Sequence, residues 1–523
     1  MRKFVLILVS AGFIIALVIG SLRRNSVEPS PLQDLKARYA IKRVPSVDHS
    51  KLPALQKKFR TPQEVTLACL SCHTERGTEV MASTHWNWAR EEYIAGHGIR
   101  FVGKKDILNN FCIGVSSNLE ECDACHAGYG YVDSTFDFND PKNIDCLICH
   151  DNSDTYQKTI AGMPASTVDL NLAAQKVGPP KRTNCGTCHF FGGGGNNVKH
   201  GDLEKALFDP TRETDVHMAI DGADLQCVAC HTATNHKLLG KMYSISSMNR
   251  NRSTCEQCHS AYPHEDEVLN EHMLKVACQT CHIPTYAKVN STKMKWDWSA
   301  AGKLRDGQPY EEHDSLGNPL YLSIKGSFEW ARNVRPEYVW FDGTAEHYLL
   351  GDTASADKPI EINTLNGSYA DPDAKIIPVK IHRAKQIYDP INKVLIQPKL
   401  YAPEKGQGAF WKDFDWNSAA AAGMKSVGLP YSGQYEFVKT EMTWPINHMV
   451  APKEEAVQCK ECHNRKSSRL ANLRDFYMPG RDYSPAVDTI GTGAIILVMA
   501  SVVLHGTGRI VMQRRKHKEN HHP

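Results

Sequence analysis

The sequence predicts a mainly α-helical chain with much irregular structure and little β-sheet, wound around large flat prosthetic groups that replace an ordinary apolar core. Three observations carry this expectation. Sixteen of the 17 cysteines fall into eight copies of one pentapeptide. Seven copies are compressed between Cys69 and His282, about thirty residues apiece, which is too little chain to build a conventional core. Their spacing is irregular, which excludes a tandem solenoid.

The pentapeptide is Cys-x-x-Cys-His, the attachment signature of a c-type haem. The copies are Cys69/Cys72/His73, Cys122/Cys125/His126, Cys146/Cys149/His150, Cys185/Cys188/His189, Cys227/Cys230/His231, Cys255/Cys258/His259, Cys278/Cys281/His282 and Cys459/Cys462/His463. Two thiols three positions apart can add to the two vinyl groups of one porphyrin, and the next residue reaches the iron as the proximal ligand. Zinc sites also use Cys-x-x-Cys but do not require the histidine in fifth place. The cofactor set expected is therefore eight covalently bound c-type haems, and the fold a multihaem cytochrome c fold in which porphyrin faces are the main apolar surface.

The first 24 residues, Met1-Arg2-Lys3 followed by an apolar run from Phe4 to Leu22 and then Arg23-Arg24, fit a signal peptide or an uncleaved signal anchor. A transmembrane helix is expected over residues 489–512, with residues 513–523 as a basic cytoplasmic tail. Between these ends, residues 25–482 form a haem-bearing body at the periplasmic face of a bacterial inner membrane. It is anchored by the C-terminal helix and, if uncleaved, the N-terminal one. Net charge is +3, each haem adds two propionates, and no basic stripe or phosphate-cradling glycine loop supports nucleic-acid binding. His505, inside the apolar stretch, is ionisable at a costly position.

Within the body, haems 1–7 occupy residues 69–282. Residues 283–458 form a wrapping segment rich in Trp, Tyr, Pro and Gly, with some strands, and haem 8 follows at 459–463. The glycine run from Gly192 to Gly195 reads either as a flexible loop or as backbone approaching a haem or substrate closely.

Sixteen histidines lie outside the motifs. As second axial ligands the best placed are His85, His217, His236, His264, His272, His382 and His448. His49, His517, His521 and His522 lie in terminal stretches and read as solvated, and His97, His200, His313 and His347 stay open. Seven haems with two histidines would be low-spin relays, leaving one able to bind a small molecule.

Cys112 is the cysteine left over, an exported thiol ten residues ahead of the second motif. It reads as a small buried hydrophobe or as a functional thiol.

Eight motifs in this order, Asn109-Asn110-Phe111-Cys112 before Cys122-Asp123-Ala124-Cys125-His126-Ala127-Gly128-Tyr129-Gly130, and Cys185-Gly186-Thr187-Cys188-His189-Phe190-Phe191 before four glycines and Val198-Lys199-His200-Gly201-Asp202 resemble the octahaem tetrathionate reductase family over residues 60–470. The resemblance implies that the haem held by Cys122, Cys125 and His126 is catalytic, with Lys199 as its distal ligand and Cys112 and Asn109 beside it. Lysine binds iron only as the neutral amine, which burial and the iron's charge favour. One departure stands out. The family pattern carries an aspartate where this chain has Asn196, so proton delivery passes to His200, Asp202, Tyr129 or water, or the substrate differs.

Two functions follow. The first is reduction of a small sulfur or nitrogen oxyanion, tetrathionate, nitrite or hydroxylamine, with electrons from a quinol-oxidising cytochrome b-type membrane partner or a periplasmic donor. The second is a non-catalytic electron conduit.

Overall fold

In the computed structural model, residues 46–519 are described apart from 95, 111, 113 and 241–250. The expected N-terminal signal segment and the last four residues, with His521 and His522, lie outside these. The chain divides into two compact units, Met1–Val457 and Gln458–Pro523.

The motif-bearing half of the first unit is built from single helical turns. Pro62–Leu70 starts on Thr61, whose side chain accepts the Glu64 N–H, with proline in its first turn, and ends by presenting Cys69. Leu147–His150, Arg182–His189, Cys227–Cys230 and Cys278–His282 carry further motifs, and the second and sixth motifs sit on 3-10 turns. One turn sets residues three apart on the same side, as two sulfurs reaching one porphyrin need.

The expected scarcity of sheet does not hold for residues 283–458. This haem-free stretch must bury its own aromatics, and it does so with a nine-stranded sheet. The strands are β1 (Thr292–Asp297), β2 (Glu311–His313), β3 (Pro319–Leu322), β4 (Gly326–Ala331), β5 (Glu337–Phe341), β6 (Ile360–Glu361), β7 (Lys375–Asp389), β8 (Val394–Leu395) and β9 (Glu436–Pro445). Their order is β6-β9-β7-β1-β4-β3-β2, with β5 and β8 also paired to β7.

The 15-residue β7 runs antiparallel to β9, with Lys380 opposite Trp444 and His382 opposite Met442, and parallel to β1. One apolar cluster holds Val198, Tyr388, Met442 and Trp444, another Trp296, Ile387, Phe410 and Trp416, and Cys112 packs against both. Trp296 stacks on Trp298 at 4.7 Å and Phe410 on Trp416 at 3.8 Å. The sheet thus presents its polar side chains to the motif-bearing half from a rigid base.

In the second unit the turn Cys459–Cys462 carries the eighth motif, and buried Arg481 donates to the carbonyls of Leu470 and Phe476 and pairs with Asp482. A helix, Pro485–Glu519, follows. Its apolar part has mean hydropathy 2.0 and is not buried at all; Ile490 and Leu504 are 72% and 73% exposed. An apolar surface of this length is long enough to cross a membrane and fits a membrane anchor.

Candidate functional site

The first unit encloses a continuous cavity of about 2300 Å³, well beyond the roughly 300–1,000 Å³ of a pocket for one small molecule. At least one cysteine from each of the first seven motifs lines it. Cysteines of neighbouring motifs lie beside one another: Cys69 by Cys146, Cys125 by Cys188, Cys185 by Cys227, and Cys255 by Cys278. The first motif is therefore beside the third, the second beside the fourth, the fourth beside the fifth and the sixth beside the seventh.

Both cysteines of the first, third, fourth, fifth and sixth motifs line the cavity, but the second and seventh motifs each contribute one. In the seventh, Cys278 lines it and Cys281 does not, which departs from the expectation that both sulfurs of the motif face one porphyrin space. The reason lies in how that turn is packed. Cys281 is partly buried at the end of Cys278–His282, where its carbonyl accepts the Val457 N–H at 2.9 Å and the His282 carbonyl accepts the Ala451 N–H at 2.8 Å. The returning chain at 451–457 therefore covers the end of the turn that holds Cys281. In the second motif Cys125 lines the cavity, while Cys122 packs with Trp88, Val115 and Tyr131.

Across the cavity the histidines pair. Ring centres are 6.4 Å apart for His73 and His49, 6.4 Å for His150 and His236, and 6.3 Å for His189 and His85. They are 6.3 Å apart for His231 and His448, 6.1 Å for His259 and His217, and 6.1 Å for His282 and His264. Two iron–imidazole bonds of about 2 Å and two ring half-widths of about 1.1 Å span about 6.2 Å, so each pair has the separation of two axial ligands on one iron.

The other ring nitrogens are anchored as such ligands require. Nδ1 of His150, His231 and His463 meets the carbonyls of Gly178, Leu239 and Pro479 at 2.9, 2.9 and 2.8 Å. Among the partner histidines, His236 Nδ1 lies 2.8 Å from Glu79 and His448 Nδ1 3.1 Å from Asp202. Among the described residues no three metal-ligating side chains converge, and the paired imidazoles have the spacing that haem iron would need.

Five of the seven histidines chosen from sequence, His85, His217, His236, His264 and His448, face a motif histidine. His382 does not: it sits fully buried in β7, its imidazole pushed well below its ordinary pKa by burial and by Lys380 and Lys293. His272 ends a short helix, exposed, with Nδ1 on the Val268 carbonyl. His49, read as solvated, faces His73. It follows a 3-10 cap set by Asp48, a local feature that carries no sign of a ligand.

The second motif departs from this pattern. Among the described residues no second histidine ring faces His126. Its imidazole is fully buried in a cage of Trp86, Trp88, Tyr131, Phe136 and Phe138, with ring centres 5.1–6.0 Å away. Nε2 lies 2.5 Å from the Trp86 carbonyl and buried Nδ1 has no partner. Burial lowers the ring to about 3.

Cys125, Asn109, Lys199 and His200 line the adjoining cavity. Burial drives the Lys199 amine down to about 7, with Lys104 adding to the effect; its Nζ lies 4.9 Å from the Trp444 ring centre. His200 packs on the same indole at 4.8 Å. The glycine run turns the chain ahead of Lys199 through positive φ at Gly193 and Gly194, and Gly192 backs the Lys199 side chain. Cys112 sits behind Asn109, whose Oδ1 accepts the Cys112 N–H at 2.9 Å. Gln386 donates to the carbonyls of both. Asn196 is turned to structure, its Oδ1 accepting the Lys205 N–H.

Of the alternative proton donors, Asp202 is bound to the N–H groups of Asn447 and His448, and Tyr129 donates to Asp145. His200 remains beside Lys199. Lys380, Thr292, Gln386 and Trp444 complete the site and were not singled out from sequence; for Lys380 and Gln386 the signal is polar residues at alternate positions of an otherwise apolar strand.

The family model described as bacterial cytochrome c matches residues 293–466. The crystal structure of octaheme cytochrome c from Shewanella oneidensis is similar, with a TM-score of 0.77 and 43% identity, over 84% of this chain and 98% of that one. An uncharacterized protein of Archaeoglobus fulgidus is 26% identical over 243 residues, covering 36% of this chain and 80% of that one.

Proposed function

Since this chain belongs to the octahaem family of multihaem c-type cytochromes, we propose that it carries eight haems and reduces a small sulfur or nitrogen oxyanion at the second motif. Its covalent haems make it a redox protein. The six histidine pairs include neither His126 nor His463, and the observation that carries catalysis at the second motif is that Lys199, Asn109 and His200 line the cavity its Cys125 enters.

When bound, the haems supply an electron relay and, at the second motif, a redox-active iron. The six paired histidines close their sites to other ligands. His126 is proposed as proximal ligand, which requires it to release the Trp86 carbonyl, and Lys199 as distal ligand. An amine titrating near neutrality can bind as the neutral base and also hold a proton. Reduction of tetrathionate to two thiosulfates takes two electrons; nitrite takes six and consumes protons, which Lys199, when off the iron, is placed to hand over. The thiol of Cys112, behind Asn109, is proposed to meet a sulfur substrate. Electrons come from a quinol-oxidising cytochrome b-type partner or a periplasmic donor, with the body at the periplasmic face of the membrane.

Purified full-length holoprotein, given a soluble reductant, is expected to turn over at least one of tetrathionate, nitrite and hydroxylamine. Lys199→Met should lower kcat about a hundredfold or more. Six histidine pairs are also what a pure electron conduit needs, so absence of turnover with all three substrates would favour that second reading.

A further inference from the structure

We propose that Lys380 is a positioning residue that holds the main chain of Lys199 and so sets how its amine meets the second haem. This rests on the reading of Lys199 as that haem's distal ligand. Lys380 is fully buried on β7. Its Nζ donates to the Val198 carbonyl at 2.9 Å, the Lys199 carbonyl at 3.1 Å and Thr292 Oγ1 at 2.7 Å. An ammonium has three protons, and all three are accounted for. Thr292 Oγ1 in turn donates to the Asn197 carbonyl at 2.6 Å. Three consecutive carbonyls, 197 to 199, are therefore tied to β1 and β7.

The same strand pair also reaches the Lys199 side chain. Lys380 is in register with Trp444 on β9, and the two residues of such a pair project from the same sheet face. One holds the Lys199 backbone; the other lies under its amine. Beyond the clamp, Gly201 has φ +91°, and a Cβ there would come within 2.7 Å of Tyr286 and 3.1 Å of the Lys380 chain. The loop is thus seated with no slack. A buried amine bonded wholly to neutral oxygens, two of them carbonyls within a segment that ends at a proposed ligand, does more than fill a sheet, because apolar residues would cover the same surface without a desolvation cost.

The test uses oxidised full-length holoprotein and the low-spin electron paramagnetic resonance signature of the lysine-ligated haem, with the histidine-paired haems as internal control. Lys199→Met should abolish that signature. Lys380→Met should raise the population with the lysine off the iron about tenfold, and Thr292→Val, which removes part of the clamp isosterically, should act in the same direction. A purely structural Lys380 would lower the melting temperature and leave the signature intact. An unchanged signature in Lys380→Met and Thr292→Val, with loss in Lys199→Met, overturns the proposal alone. Should Lys380→Met fail to fold, Thr292→Val decides between these outcomes. No change in Lys199→Met overturns the reading of Lys199 as ligand, and the clamp's role with it.

Discussion

At the scale of residues, the motif cysteines and histidines are legible because covalent attachment imposes local spacing. Their second ligands are set by tertiary contact. His49 and His382 show the difference: His49 lies near the start of the described chain yet faces His73, whereas His382 lies within an apolar strand and packs in a sheet. Cys281 shows it within a motif, since the chain that covers its turn returns from residues 451–457, far along the sequence. Asp123, inside the second motif, carries a pH dependence. Burial raises its carboxyl from 3.8 to about 7, against the lowering effect of Lys158. A carboxyl with a folded-state pKa above its unfolded value binds its proton more tightly when folded. Stability is then greatest below pH 4 and is lost as pH rises toward 7, by up to about 4 kcal/mol. Denaturant melts of Asp123→Asn holoprotein are expected to show a smaller loss between pH 4 and pH 8 than the parent; identical slopes would show that Asp123 is not the group responsible.

At the scale of elements, the helical turns under the motifs follow from the pentapeptide itself. The nine-stranded sheet was less legible, because β7 interrupts its apolar run with Lys380, His382, Lys385 and Gln386, and polar residues at alternate positions read as a solvent-facing edge. Here several of them instead face the motif-bearing half: Lys380 binds the 198–199 carbonyls and Gln386 those of Asn109 and Cys112. The terminal helix was legible from composition alone, since its length and unbroken hydropathy need no partner to be recognised. Deleting residues 485–523 is expected to move the protein from the membrane fraction to the soluble fraction on cell fractionation, with turnover from a soluble donor retained. Continued sedimentation with membranes would assign anchoring to another segment.

At the scale of the molecule, the adjacency of the motifs would set the order in which electrons pass between the haems they hold. The second motif touches the fourth and the fourth touches the fifth, while the first touches the third and the sixth the seventh. The proposed catalytic haem would thus be one step from the fourth, whose motif histidine His189 is paired with His85. The division of labour between the six paired sites and the second motif is the central claim. It is tested most directly by exposing the fully reduced, full-length holoprotein to carbon monoxide and recording its absorption spectrum. One haem equivalent is expected to bind, with the remainder unchanged and Lys199→Met altering the reactive haem alone. A spectrum in which no haem responds, or in which the responding haem is one of the six with paired histidines, would contradict the account.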